Sequence, residues 1–187
     1  VTVGVIDSGI DLSNGEFTPG SKFSGIRFTN AFDANVANAT LYSTLLAGQN
    51  NDSDPRSHGS IVSSLIAGAR NGSGMHGAAY DANVNVAAIN MSTLTLDTQL
   101  SIAIPRLVSD GAKIINLSLG YNNCEVGTNS AQNNGNRCNV DDYTPAAMNC
   151  GLSAAFAAAK TAVANGALMI FATGNEKQPS PDILAGM

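Results

Sequence analysis

Three residues in this sequence have the types and the settings that acyl-transfer chemistry needs. Asp7 closes the run VTVGVID, His58 opens the run HGSIVSSLIAGAR, and Asn175 ends ALMIFATGN. A carboxylate can orient an imidazole, the imidazole can take a proton from a nucleophile, and a side-chain amide can donate to the oxyanion that results. Taken alone, Asp7 reads equally well as a cap for the turn at Ser8-Gly9, because strand-end aspartates commonly bond their own backbone. The choice between these readings depends on where the chain places His58 and Asn175.

The elements that would position them follow from apolar periodicity. Val1, Val3, Val5 and Ile6 read as a buried strand ending at Asp7, and Ile26 to Phe32 as a second strand. From His58 a helix is expected with Ile61, Val62, Leu65, Ile66 and Ala69 on one face and small residues on the other, packed on both sides. Asn83 to Asn90 reads as a strand. Leu100, Ile104, Leu107 and Val108 keep helical spacing, with Pro105 bending that helix or starting a shorter one. Ala112 to Gly120 is an apolar strand, and Leu152, Phe156, Ala159 and Val163 share a face of a helix that stops at Gly166. Ala167 to Asn175 is the next buried strand. Alternation of this kind implies right-handed βαβ units and a mainly parallel sheet covered by helices on both faces. On such a sheet Asp7 and Asn175 leave at the same carboxyl edge, where ligands collect, and a helix beginning at His58 can aim its first turn there.

Composition narrows the function. The chain has 187 residues, enough for one domain with a sizeable core. A net charge of -5 with scattered basic residues repels a phosphate backbone, so nucleic acid is not an expected partner. No run approaches the roughly 18 apolar residues that span a bilayer, and no signal-peptide pattern opens the chain. Cys124, Cys138 and Cys150 have no zinc spacing. They sit in or beside a stretch from Tyr121 to Ala147 that is rich in Asn and Gly and reads as a long surface loop. A Cys124–Cys138 disulfide is the favoured pairing, since closing about 15 residues is worth roughly 3 kcal/mol in the chain-entropy model. With few lysines and many Asn, Ser and Thr, that staple points to an exported protein.

The motifs around these residues resemble the subtilisin-like serine proteases. VGVIDSGID resembles that family's aspartate motif, SHGSIVSSLIAG its histidine motif, INLSLG the strand lining its substrate cleft, and FATGNE its oxyanion-asparagine motif. All four stand in the family's order and span nearly the whole chain. The resemblance implies a doubly wound α/β sandwich and a serine endopeptidase acting on protein or peptide substrates. Asp7 would orient the imidazole, His58 would be general base and then acid, and Asn175 would donate to the oxyanion. Ser118, Leu119 and Gly120 would pair with substrate backbone as an added strand. Two departures leave those roles intact: Ser60 and Ile61 stand where a second histidine is usual, and Tyr80 where a proline is.

A G-T-S nucleophile motif is absent from the 187 residues, and CGLSAA around Ser153 precedes the oxyanion motif instead of following it. The expectation is therefore an incomplete catalytic domain, with no second domain in this stretch, whose serine lies beyond Met187. NGSGMHGAAYDA and the insertion before ATGNE lean toward bacterial surface or autotransporter members, so the expected location is secreted or on the bacterial surface. A propeptide or a downstream C-terminal domain is an allowed partner. No cofactor is required. Structural calcium is allowed at Asp52 and Asp54, although solvated loop carboxylates are the preferred reading there, and His76 is read as a surface turn residue. Two rivals stand beside the protease. One is a peptide-binding fragment or pseudoprotease that cuts nothing. The other is a phosphoryl-transfer domain with Asp7 as acceptor, which no phosphate-binding glycine motif supports.

Overall fold

Strict alternation of side chains decides which way the central strand faces. In the computed structural model, which describes residues 1–17, 22–29, 42–90, 96–120, 152–173 and 175, strand β1 spans Thr2–Asp7. Val3 and Val5 enter one hydrophobic cluster and Ile6 the cluster on the opposite face, as a period of two requires. The strand β4 (Asn83–Ala88) repeats the pattern, with Val84, Val86 and Ala88 on the first side and Ala87 on the second.

Six strands form one sheet in the order β3-β2-β4-β1-β5-β6, where β2 is Phe23–Phe28, β3 is Tyr42–Thr44, β5 is Ile114–Leu117 and β6 is Leu168–Phe171. Every pairing is parallel except β2 with β3. Helix α1 (His58–Ala67) covers the first face, and α2 (Leu96–Ser109) and α3 (Ser153–Ala164) cover the other. The doubly wound, mainly parallel α/β architecture is as expected. The second strand starts earlier than periodicity suggested, at Phe23, and β3 had no sequence signal of its own. Pro105 is accommodated inside α2, where Leu100, Ile104 and Leu107 are fully buried.

Three expectations about burial need correction. In α1 the small residues Gly59, Ser60, Ser63 and Ala67 are buried, while Ile61 and Leu65 are more than half exposed. In α3 the buried residues are Ala155, Ala159 and Ala162, and Val163 is exposed. In both helices it is the small face that lies inward, where it permits close approach. The strand β6 is not buried on both sides: Met169 and Phe171 pack on the α2–α3 cluster, but Leu168 and Ile170 are exposed. The three cysteines and the expected disulfide lie outside the described residues.

Candidate active site

Asp7 is the last residue of β1, paired with Ala88 at the end of β4, and its side chain is 1% exposed. The next residues leave the sheet through Gly9, whose φ of 128° is open to glycine but strained for any side chain. A Cβ there would lie 2.1 Å from the Asn51 carbonyl oxygen, and a Cβ on Gly59 would lie 2.1 Å from the Gly9 oxygen. The two glycines therefore let the chain after β1, the segment at Asn51–Asp52 and the first turn of α1 stack backbone on backbone. That stacking brings His58 to Asp7.

His58 Nδ1 lies 2.8 Å from Asp7 Oδ1, and the imidazole is 49% exposed. An ionised carboxylate only accepts, so Nδ1 carries the proton in this bond and Nε2 is left with its lone pair. The same Oδ1 accepts from the Ser8 backbone N–H at 2.7 Å. The bond to Asp7 raises the His58 pKa; partial burial opposes this, and the charges of Asp7, Asp54 and Asp52 add to the rise. Burial pushes the Asp7 carboxyl up as well, against the bonds from His58 and Ser8. Both partners thus hold protons more tightly than usual. The carboxylate end of the pair is buried and the imidazole end is half-exposed.

Asp7, Ser8 and His58 line a cavity of about 320 Å³ together with Ile89, Leu119 and the 53–55 segment. Leu119 follows β5, whose last residue Leu117 pairs with Phe171 at the end of β6. Ser118 is half-buried, Gly120 is exposed, and the Ser118 hydroxyl accepts from Asn116 Nδ2 at 2.9 Å. Asn175 is an exposed bend residue past the end of β6, at the same carboxyl edge of the sheet as Asp7. Of the residues singled out from the sequence, Asp7, Asp54, His58 and Leu119 share the cavity, and Asn175 lies at the same edge of the sheet without lining it.

Sequence reading missed the residues that hold this arrangement. Ser57, the local cap position, is in the left-handed region at φ 54° and makes no side-chain cap bond. Asp52 takes over. Its Oδ2 accepts from the Ser60 N–H at 2.9 Å and the Ser60 hydroxyl at 2.6 Å, and its Oδ1 accepts from the Ser8 hydroxyl at 2.7 Å and the Asp54 N–H at 3.1 Å. The expectation of a solvated loop carboxylate fails for Asp52. Nor does it suit calcium, since a cation would have to displace donors from both oxygens. Among the described residues no cluster of three His, Cys, Asp or Glu side chains fits a metal. A carboxylate six residues ahead of a helix start is too distant for a local capping pattern, so only a tertiary fold reveals it.

With this geometry in hand, comparisons with known proteins are informative. The model of the subtilase family matches residues 1–185. Among solved structures, the self-cleaved protease domain of PatA superposes with a TM-score of 0.59 and 16% identity, covering 98% of this chain and 52% of that one. The nisin leader peptidase NisP from Lactococcus lactis gives 0.58 and 24%, covering 94% of this chain and 44% of that one. The prenylagaramide maturation protease PagA gives 0.56 and 20%, covering 98% and 49%. These likenesses establish the fold, and the chain spans about half the length of these solved relatives. No curated protein matches the chain.

Proposed function

The chain belongs to the subtilase family, and we propose that it carries the aspartate–histidine half of a serine endopeptidase site that hydrolyses protein or peptide substrates. The observation that carries this reading is the 2.8 Å bond between Asp7 and His58 Nδ1 beside a cavity at the carboxyl edge of the sheet. Asp7 holds the imidazole in the tautomer whose Nε2 is a base. A serine outside residues 1–187 gives its hydroxyl proton to Nε2 while its oxygen attacks the scissile carbonyl carbon. Asn175 donates to the oxyanion formed from the carbonyl oxygen. His58 then returns the proton to the leaving amine, which departs as the C–N bond breaks, and water releases the acyl group by the same steps. Backbone groups of Ser118, Leu119 and Gly120 hold the peptide as an added strand. The export suggested by composition places this work outside the cytoplasm or at the bacterial surface.

A fluorophosphonate probe tests the reading. The full-length gene product should be labelled on a serine outside residues 1–187, and His58→Ala should abolish labelling. The 187-residue chain should not be labelled at all. Covalent modification within this chain would overturn the assignment. Peptide capture without labelling or turnover by the full-length protein would instead favour a pseudoprotease, the reading that the missing G-T-S motif keeps open.

A further inference from the structure

The hydroxyl of Ser8 stands between two carboxylates and has only one proton to give. Its oxygen lies 2.7 Å from Asp52 Oδ1 and 3.2 Å from Asp7 Oδ1, and it accepts from the Gly59 N–H at 2.9 Å. A separation of 2.7 Å belongs to a charge-assisted O–H···O⁻ bond, whereas 3.2 Å lies outside the usual range for a hydroxyl donor. The proton is committed to Asp52. Asp7 Oδ1 is left with two strong donors, His58 Nδ1 and the Ser8 backbone.

We propose that Asp52 is a positioning residue that sets the base strength of His58 by drawing the Ser8 hydroxyl proton away from Asp7. A third donor on Asp7 Oδ1 would stabilise its negative charge, weaken its bond to the imidazole and make His58 a poorer base. Asp52 prevents this while its other oxygen clamps Ser60 in the first turn of α1, and the Ser60 hydroxyl in turn accepts from the Asp11 N–H at 2.9 Å. One carboxylate thus ties the helix that carries the imidazole to the turn that follows its partner. Among the described residues, the charged groups that act on His58 are acidic: Asp7 from β1, and Asp54 and Asp52 from the segment before α1. The inference takes the Asp7–His58 pair as the working pair proposed above, but its test reads the imidazole itself and needs no activity.

Asp52→Asn is the informative change because it inverts polarity at one end only. Its amide oxygen can still accept from Ser60, while its NH₂ faces Ser8 as a donor and sends the Ser8 proton to Asp7. An NMR titration of the full-length protein, with the His58 signal assigned by its loss in His58→Gln, follows the imidazole, and His76 beside Tyr80 serves as a second, distant ring. The His58 titration midpoint should fall in Asp52→Asn, and by more than in Asp54→Asn, although direct charge interaction ranks Asp54 above Asp52. In a Ser8→Ala background the effect of Asp52→Asn should shrink to that of a simple charge removal. An unchanged midpoint in Asp52→Asn, or an equal fall with and without the Ser8 hydroxyl, would overturn the proposal. Ser8→Ala alone gives a second test that does not depend on Asp52→Asn folding. It should leave the His58 midpoint nearly unchanged, and a clear rise would show that the proton had been on Asp7 all along.

Discussion

Asp7 carries its hydrogen bonds on one oxygen. His58 and the Ser8 backbone converge on Oδ1, and Oδ2 has no partner among the described residues. A turn cap would need only the Ser8 contact. On the proposed reading, Asp7→Asn in the full-length protein should fold with an unfolding midpoint close to the parent and lose about 10⁴-fold in kcat, the size seen for the analogous change in a serine-protease triad. A lost cap would instead cost about 1 kcal/mol of stability and leave the rate per folded molecule intact. Measuring both in one variant separates the readings, and a destabilised but fully active protein would reject the catalytic one. The pH dependence has a definite sign. The folded-state pKa of His58 is raised, chiefly by its bond to Asp7, so its contribution to stability is complete below the ordinary imidazole value near 6.5 and is lost as pH rises through the raised value. Solvent screens that contribution at a half-exposed ring, and activity is the sharper readout. The base form appears only above the raised value. The acidic limb of kcat/KM should therefore lie above about 6.5 in the parent and move down in any variant that weakens the Asp7 bond.

Both helices with a defined start are capped from afar. Asp52 bonds the Ser60 N–H in α1, and Asp97 of α2 bonds the Ala155 N–H in α3 at 2.7 Å, whereas the local cap positions Ser57 and Leu152 make no side-chain cap bond. Ser57 is instead held in a left-handed conformation immediately before His58. That costs a non-glycine residue about 1–2 kcal/mol, and glycine gives back roughly 0.5–1 kcal/mol in chain entropy. Ser57→Gly should thus leave the stability unchanged or raise it by up to about 1.5 kcal/mol, read from the unfolding midpoint, while Ser57→Val lowers it. Gly59→Ala acts on the site directly. Its methyl would meet the Gly9 oxygen at 2.1 Å, so the first turn of α1 must lift away, at an overpacking cost of about 1–3 kcal/mol. The His58 titration should then fall toward its ordinary value, and a His58 titration unchanged from the parent in a folded Gly59→Ala protein would show that the glycine contact does not set the pair. The positions of Asp7 and His58 were readable because they rest on short-range pattern, a strand end and a helix start. Asp52 and Asp97 were not, because a carboxylate that caps a helix across a turn or from another helix leaves no periodic trace.

The alternation of strands with helices, and the near-continuous apolar runs of β1, β4 and β5, were enough to forecast a parallel sheet with helices on both faces, since each such strand must bury both of its sides. It failed to say which side of α1 the sheet would take. Ile61, Val62, Leu65 and Ile66 form an apolar stripe of the kind that normally marks a buried face, yet the buried residues are small ones, Gly59, Ser63 and Ala67, while Val62 and Ile66 are only partly buried and Ile61 and Leu65 are exposed. Leu168 and Ile170 of β6 are exposed on the side of the sheet that α1 occupies, because Met169 and Phe171 take the other side. Large apolar side chains on the outside of a helix and on one face of a strand are surface that a folded peptidase would be expected to cover. The 187-residue chain should therefore bind an environment-sensitive hydrophobic dye and self-associate as its concentration rises. Replacing Ile61 and Leu65 with lysine should suppress both effects without lowering the unfolding midpoint, because neither side chain is buried in the described structure. The same double substitution in the full-length protein should behave oppositely if the rest of the domain packs there, costing several kcal/mol of stability because two charges would be buried without partners. Measuring unfolding midpoints for both lengths of chain tests this. Equal tolerance in the two would show that the stripe on α1 stays exposed in the full-length protein.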